Sequence, residues 1–323
     1  MRVKKLNEKP SLVGCGSVAG KRESEDIHDK GEHFGMNTWE KAESEMQRIA
    51  LNTALAKAKL GAGSVEAVFA GDLQNQCVSS VFGLADFGVP YFGLYSACST
   101  FAEALMLSAM LVDSGKFSAC AAVTSSHFCA AERQYRFPLE YGGVRTPTAQ
   151  WTVTGAGSCI LKSLKKGICV ARATVGRIVD LGVSDANNMG AAMAPAAAQT
   201  LECYLEDTKT SPEDYDMIIT GDLGEVGSKS LYDLLERDGI NIRKQHNDCG
   251  LMIFERSNQD VHAGGSGCGC AASVLCSKIM DDFQNGLVQN ILFMATGALM
   301  SPTSSGQGAN IPSIAHLVNL KIK

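Results

Sequence analysis

The stretch SPEDYDMIITGDL, residues 211–223, decides how the chain is organised, because its ending occurs twice. The earlier stretch VEAVFAGDL, residues 65–73, is likewise an apolar, strand-like run that ends in Gly-Asp-Leu. Residues 98–126 and 268–298 extend the parallel, since each has small residues that open a helical run, then a glycine and an apolar strand. This order predicts an internal duplication of one α/β unit, with halves at residues 1–165 and 166–323.

Length and composition limit the function classes. The chain has 323 residues, of which 45% are hydrophobic, so it is long enough to bury a large core. A net charge of −5 and the lack of a basic stripe argue against nucleic acid as a partner. The N-terminus lacks the features of a secretory signal, and the apolar stretches 104–112 and 287–300 are too short or interrupted to span a bilayer. We therefore expect any membrane role to be peripheral.

The twelve cysteines, without an export signal, are typical of reduced thiols that act as small hydrophobic residues. HNDC (246–249) and HAGGSGCGC (262–270) suggest zinc, but they lack the paired knuckles of structural zinc sites. We therefore interpret the histidines and cysteines of these two stretches as residues of tight turns, and we predict no metal site. The glycine-rich turns also lack the context of a nucleotide-binding loop, so no cofactor is predicted.

Cys98 opens the helical run in LYSACSTFAEALMLSAMLV, residues 94–112, directly after an apolar segment. The pattern predicts a strand–turn–helix corner, where the helix N-terminus favours a thiolate. Such a thiol can serve as a nucleophile. A small residue that fits a crowded turn gives the same pattern, and the local sequence leaves both interpretations open.

The segment SSHFCAAERQYRFPLEYGGVRTP, residues 125–147, is predicted to be a long loop after a strand. Its candidate ligand-binding residues are His127, Arg133, Arg136 and Arg145, which lie among aromatic side chains. Arginines bind carboxylates in a bidentate manner, and aromatic rings stack on planar ligands. The same residue types are typical of protein interfaces, so a ligand site and an interface remain alternatives.

The duplicated halves, the cysteine corner and the C-terminal glycine-rich turn together resemble the thiolase and ketoacyl-synthase superfamily. AERQYRFPLEYG (131–142), DLGVSDANNMGAAMAPAAA (180–198) and DVHAGGSGCGC (260–270) resemble the stage V sporulation protein AD family, a likeness that runs from about residue 10 to the end. The resemblance implies a thiolase-like α/β fold, with two similar halves in a layered αβαβα arrangement.

The resemblance also implies a function and a location. The expected ligand is dipicolinic acid, alone or with calcium, taken up into the developing spore and released at germination. The expected location is the forespore or spore, peripheral on the inner membrane. The expected partners are other membrane proteins of the stage V sporulation A operon. By analogy with the superfamily, whose members often dimerise through the strand that follows the cysteine helix, we also expect a homodimer. The apolar run 117–123, which follows the Cys98 helix, fits a dimer-core strand and a strand in the monomer core equally well.

Condensing enzymes of the superfamily pair the cysteine with a histidine and with an asparagine or a second histidine. Here the strand at 216–220 leads into Gly221, Asp222 and Leu223, and the asparagine position holds Cys268. The resemblance thus implies a degenerate, non-catalytic site. Its expected ligand-binding residues are Cys98, Ser126, His127, Arg133, Arg136, Arg145 and His262. The alternatives are a Cys98-dependent acyltransferase, with His127 or His262 as base, and a scaffold that binds no ligand.

Overall fold

The computed structural model describes residues 1–7, 9–23, 32–135 and 145–323. The strands are β1 Val3–Lys5, β2 Ser11–Ala19, β3 Ala67–Gly71, β4 Tyr91–Gly93, β5 Ala119–Ser126, β6 Trp151–Thr152, β7 Gly155–Lys162, β8 Ile168–Thr174, β9 Met217–Thr220, β10 His246–Asp248, β11 Gly265–Ser266, β12 Asn290–Ala298 and β13 Ser313–Ile322. The helices are α1 Trp39–Ala58, α2 Val78–Leu84, α3 Thr100–Asp113, α4 Phe128–Tyr135, α5 Met189–Thr208, α6 Gly224–Arg237, α7 Cys249–Met252, α8 Cys268–Val274, α9 Met280–Gln284 and α10 Pro302–Gly306.

The main sheet consists of two half-sheets with the same topology. The first half has the order β4-β3-β5-β7-β2, and the second has the order β10-β9-β12-β13-β8. In each, the first three strands are parallel and the remaining pairs are antiparallel. The half-sheets join where Ser11 of β2 pairs with Cys169 of β8. The predicted α/β fold of two similar halves is confirmed. The division after residue 165 falls between β7 and β8, and its bounds remain a prediction.

The long helix of each half confirms the repeat in detail. α1 and α5 both have 20 residues, and both end on a lysine in the left-handed conformation, Lys59 and Lys209. The side chain of Thr38 caps α1 by accepting a hydrogen bond from the Lys41 N–H. This hydrogen bond satisfies one of the backbone N–H groups in the first turn of α1, which have no partner within the helix.

Two helical segments lie in the centre of the molecule and position the site. α3 contacts strands of both half-sheets, and its residues Phe101 and Leu105 are fully buried. The second segment runs from α8 through a π-helical turn, Leu275–Ile279, into α9. α3 begins just after Cys98 and α8 begins at Cys268, so the N-terminal ends of both helices meet at one place.

The place of β5 in the sheet distinguishes the two interpretations of the run 117–123. β5 pairs with β3 on one side and β7 on the other, so this strand belongs to the core of the monomer and cannot pair with a strand of a second copy. β4 is the free edge of the first half-sheet, and Phe92 on it is 48% exposed. Within the described parts of the chain, no helix combines the length and apolar character needed to cross a membrane.

Candidate functional site

Cys98 lies at the predicted corner between a strand and a helix. It occupies a tight turn, Ala97–Ser99, that leads from β4 into α3. Ala97 has φ 51°, a left-handed conformation that is strained for a residue with a side chain. The Thr100 hydroxyl donates a hydrogen bond to the Ala97 carbonyl at 2.6 Å and accepts one from the Ser96 N–H at 3.2 Å. These contacts hold the turn that places the thiol.

The charged group that acts most strongly on the Cys98 thiol is the carboxyl of Asp222. Both side chains are buried. Burial is the main cause that raises the pKa of Cys98 well above its usual value, and the Asp222 charge raises it further. A thiolate beside a carboxylate is disfavoured, so Cys98 is held in the protonated form.

Asp222 is fixed by contacts from three further segments. Its Oδ2 accepts the Gly267 N–H at 2.9 Å, and its Oδ1 accepts the Thr296 hydroxyl at 3.0 Å. The Gln150 side chain donates to the Asp222 backbone carbonyl at 2.7 Å. Burial raises the pKa of Asp222 to about 7, against the lowering effect of these hydrogen bonds. A carboxyl that titrates near neutral pH can hold or release a proton at this position.

Cys268 takes the place that the sequence comparison assigned to an asparagine. It packs with Cys98, Leu73 and Ala131 in one buried apolar cluster. Its thiol donates to the Ser125 carbonyl at 2.9 Å, and burial raises its pKa well above the usual value. A buried, protonated thiol contributes little to the stabilisation of a developing oxyanion, which needs strong donors.

A small cavity opens beside Cys98, where the two halves meet. Its volume is about 50 Å³. The walls combine apolar side chains with a few polar groups and are formed by Leu73, Ala97, Cys98, Ala131, Glu132, Tyr135, Thr152, Met189, Ser266, Ala298 and Met300. Among the described residues, none that lines the cavity is positively charged. The Glu132 carboxylate accepts the Thr152 hydroxyl at 2.9 Å, so it is held at the wall.

Tyr135 closes one side of this cavity. Its hydroxyl donates to the Leu73 carbonyl at 2.6 Å and lies 2.8 Å from the Tyr95 hydroxyl. The side chain of Gln134 donates to the same carbonyl at 3.1 Å. α4 is thus fastened to the segment that follows β3 by several hydrogen bonds.

Two of the predicted ligand-binding residues face the protein core instead of the cavity. The Ser126 hydroxyl donates a hydrogen bond to the Val153 carbonyl at 2.7 Å. It also packs against Gly269, because a Cβ atom added to that glycine would lie 2.5 Å from the Ser126 Oγ. His127 is fully buried, and its Nε2 lies 2.9 Å from the Glu32 carbonyl. Burial lowers the pKa of His127 to about 4, so the ring is neutral at physiological pH. Neither side chain lines the cavity.

Arg133, Arg145 and His262 are not among the residues that line the cavity. Arg133 forms an ion pair with Glu40 on the outer side of α4. Arg145 donates to the Asp260 carbonyl at 3.0 Å, and its guanidinium lies 4.2 Å from the centre of a Trp151 ring. The His262 Nε2 lies 3.3 Å from the Asp260 carboxylate. The prediction for Arg136 lies outside the described residues.

Sequence reasoning missed several residues of the site. The sequence pattern identifies Asp222 only as a residue that follows a strand where a catalytic histidine is expected. Its place in the repeated Gly-Asp-Leu is the signal that could have identified it as a site residue. Glu132 and Tyr135 follow Phe128 at helical spacing, and that spacing indicates one face of a helix where a loop was predicted. Arg22 was also missed: its guanidinium lies 4.2 Å from the centre of a Trp151 ring, beside Arg145.

Comparison with known proteins gives a family and a fold. The family model described as stage V sporulation protein AD matches residues 1–321. The chain is 40% identical over 317 residues to stage V sporulation protein AD of Bacillus subtilis (strain 168), which covers 96% of this chain and 94% of that protein.

Solved structures of low sequence identity share the fold. 3-Oxoacyl-[acyl-carrier-protein] synthase III from Aquifex aeolicus VF5 is 14% identical with a TM-score of 0.60, covering 97% of this chain and 99% of that one. The H285N variant of OleA from Xanthomonas campestris is 11% identical with a TM-score of 0.63, covering 97% and 98%. These likenesses confirm the predicted thiolase-like fold.

Proposed function

The chain belongs to the stage V sporulation protein AD family, and from this premise we propose that it is a non-catalytic binding protein for dipicolinic acid. Its role is uptake of dipicolinate into the developing spore and release at germination. The observation that carries the proposal is the joint burial of the Cys98 thiol and the Asp222 carboxyl, because the charge of Asp222 acts on the thiol and raises its pKa. Attack on a thioester needs a thiolate and a base that accepts its proton, and here the partner of the thiol is a carboxylate that opposes ionisation.

The charge at the cavity favours one form of the ligand. Glu132 lines the cavity and Asp222 lies against Cys98, whereas no described wall residue is cationic. A free dicarboxylate dianion would meet repulsion in this low-dielectric surrounding. Calcium binds carboxylate oxygens with little demand on geometry, and in a calcium complex the charge of the dicarboxylate is neutralised. The ligand that we propose is therefore calcium dipicolinate.

The size of the cavity indicates how such a ligand enters. A volume of about 50 Å³ is far below the roughly 300–1,000 Å³ of typical small-molecule sites. Entry therefore requires Tyr135 to leave the Leu73 carbonyl, to which it is hydrogen-bonded. In this proposal the apolar wall and the ring of Tyr135 then pack against the flat faces of the pyridine ring.

In this proposal two arginines give the approach to the cavity a positive charge. Arg22 and Arg145 both lie over Trp151, and the next residue, Thr152, lines the cavity. Cationic groups beside a narrow opening raise the local concentration of an anion and its association rate. In this proposal Arg145 acts before binding, and the carboxylates of the ligand meet calcium inside.

The test is calorimetric titration of dipicolinate into the protein, with and without calcium. We expect wild type to bind calcium dipicolinate more tightly than the free dianion. Glu132→Gln removes a charge and keeps the shape, so it should raise the affinity for the calcium-free dianion by about tenfold, which corresponds to 1.4 kcal/mol. The control is Arg133→Gln, one residue further along α4 and directed outwards, which should change neither affinity.

The outcomes separate the parts of this proposal. Absence of binding for both forms of the ligand would overturn dipicolinate as the ligand. Equal affinity with and without calcium would overturn the calcium complex alone and leave dipicolinate binding in place.

A second candidate function is acyl transfer, and one observation favours it. Asp222 has a pKa raised to about 7, which lies in the range of an effective general base at neutral pH. The decisive assay is incubation with an acyl-CoA followed by mass spectrometry of the Cys98 peptide. We expect no acyl adduct; an adduct on Cys98 that is lost in Cys98→Ser would replace the binding proposal with an acyltransferase.

We further propose that the protein forms a homodimer and lies peripherally at the spore inner membrane with other proteins of the same operon. The surface that supports a dimer is the free edge strand β4, where Tyr91 and Phe92 are exposed. Unpaired edge strands with apolar side chains are prone to pair with a second copy. Sedimentation of wild type and Phe92→Glu tests this, and a monomeric wild type would overturn it.

A further inference from the structure

Three cysteines that are far apart in sequence come together behind the first half-sheet. Cys15 on β2 and Cys159 on β7 are direct cross-strand partners, with their Sγ atoms 3.0 Å apart. The Sγ of Cys276 lies 3.5 Å from that of Cys159, and all three sulfur atoms lie within 4.8 Å of one another. The group is buried and lies outside the walls of the Cys98 cavity.

The local structure around these thiols is specialised. Cross-strand partners in an antiparallel pair point to the same face of the sheet, so Cys15 and Cys159 both project towards the central helices. Cys276 comes from the π-helical turn Leu275–Ile279, which interrupts the path from α8 to α9. Such turns are rare and occur frequently at functional sites, because the extra residue redirects one side chain. Here that redirected side chain completes the cluster.

A path connects the cluster with solvent. A cavity of about 610 Å³ lies beside β2, and both Cys15 and Cys276 form part of its wall. Lys57 of α1 also lines this cavity and acts electrostatically on the Cys15 thiol. The cluster therefore has access to solvent and a cationic side chain on the wall of the adjoining cavity.

We propose that Cys15, Cys159 and Cys276 bind one zinc ion, with the fourth coordination position directed into the adjoining cavity. Thiolate sulfur is the ligand that thiophilic cations such as zinc select. With Zn–S bonds of about 2.3 Å and tetrahedral angles, bound sulfur atoms lie roughly 3.8 Å apart. The observed separations of 3.0 and 3.5 Å need to open by less than about 1 Å, which side-chain rotation provides.

The charge and proton balance of this site is consistent. Zinc replaces the thiol protons, which leave to solvent, and three thiolates with one Zn²⁺ carry a net charge of −1. Lys57 and Asp281, which carry opposite charges, both lie on the wall of the adjoining cavity. Sequence spacing gives no indication of this site, because Cys15 and Cys159 are 144 residues apart and Cys159 and Cys276 are 117 apart. Structural zinc sites are recognised in sequences by ligands a few residues apart.

The test uses the full-length protein, purified in a thiol reductant and dialysed against zinc and then against metal-free buffer. We expect one zinc per chain by elemental analysis, and one equivalent of Cd²⁺ to give a sulfur-to-metal charge-transfer band in the ultraviolet. Cys276→Ser and Cys15→Ser should lose both signals. The matched control is Cys120→Ser, a buried cysteine on the neighbouring strand β5, which should keep them.

The wild-type measurements do not depend on whether a variant folds. A wild type that retains no zinc and gives no charge-transfer band with Cd²⁺ overturns the proposal. Zinc or a cadmium band that persists unchanged in a folded Cys276→Ser protein overturns it as well, since binding would then lie elsewhere.

Discussion

The two copies of Gly-Asp-Leu end equivalent strands, yet their aspartates have different tasks. Asp72 follows β3 and accepts the Gln74 N–H at 2.9 Å and the Ser80 N–H at 2.8 Å, so it fixes the start of α2. Asp222 follows β9 and is directed to Cys98 in the centre of the molecule. The same tripeptide thus serves the fold in one half and the candidate site in the other.

The second half assigns the capping task to another carboxylate. Asp248, at the end of β10, accepts the Leu223 N–H at 2.8 Å and the Gly224 N–H at 3.0 Å. These groups lie at the start of α6, so Asp248 does there what Asp72 does for α2. Because the helix start is already satisfied, Asp222 is available to contact Cys98. The comparison shows that a repeated motif determines where a side chain lies in the fold. The neighbouring segments, which differ between the halves, determine which groups that side chain contacts.

The largest expected effect compares Asp72→Asn with Asp222→Asn. At Asp72 both oxygens accept backbone N–H groups, so an amide nitrogen must face a donor and leave it unsatisfied, at a cost of about 2–3 kcal/mol. At Asp222 one oxygen can still accept the Gly267 N–H, while the Thr296 hydroxyl turns to accept from the amide, so the loss should stay below about 1 kcal/mol. Urea unfolding of both variants measures the difference, and equal losses would contradict the assignment of roles.

The second prediction concerns the pH dependence of folding stability that arises from Glu43, a buried carboxyl whose pKa is raised in part by Asp72. Burial, followed by the Asp72 charge, raises the pKa of Glu43 to about 8. A folded pKa above the unfolded value of about 4.3 means that the folded state binds more protons, so this contribution is complete at low pH and is lost as pH rises through 8. Glu43→Gln should therefore reduce the fall in stability between pH 6 and 8 by more than about 1 kcal/mol.

The measurement is chemical unfolding of wild type and Glu43→Gln at several pH values in that interval. Gln is close in shape to Glu and can keep hydrogen bonds to Gln74 and Ser125, so a change in the slope reports the charge. Parallel pH profiles for the two proteins would show that Glu43 does not titrate there.

The third prediction tests the Gly-Asp-Leu of the second half, which contains Asp222, by measuring the reactivity of Cys98. Asp222→Asn removes a charge that raises the pKa of the thiol, so the rate of alkylation of Cys98 by iodoacetamide at pH 8 should rise about tenfold, as for one unit of pKa. Mass spectrometry of the Cys98 peptide gives the rate. Asp72→Asn, the equivalent change in the first half, serves as control and should leave it unchanged. If Asp222→Asn left the alkylation rate of Cys98 unchanged, the argument that the charge of Asp222 keeps the thiol protonated would be wrong.

These contrasts show what the sequence supports. The repeated strand endings and the matched helical runs were enough to predict two similar α/β halves, because hydrophobic pattern and turn residues act locally. The site depends on contacts that join distant segments: Asp222 with Cys98, and Glu132 with Thr152. Arg145 and Ser126 have the residue types of a binding site, yet the packing of Trp151 and Gly269 gives them other contacts. Local patterns therefore predicted the halves, and only tertiary packing identifies the members of the site.

The smallest expected effect tests the symmetry of the two halves at positions far from the site. Lys59 and Lys209 end α1 and α5 with φ of 57° and 54°, and both donate their backbone N–H to the preceding turn. Glycine adopts this left-handed conformation without the steric penalty of a side chain, so Lys59→Gly and Lys209→Gly should each stabilise the protein by about 0.5–1 kcal/mol. Thermal unfolding of the single and double variants checks this, and the two effects should be equal and additive because the sites are distant. Unequal effects would mean that the halves differ in their helix ends as well as in their aspartates.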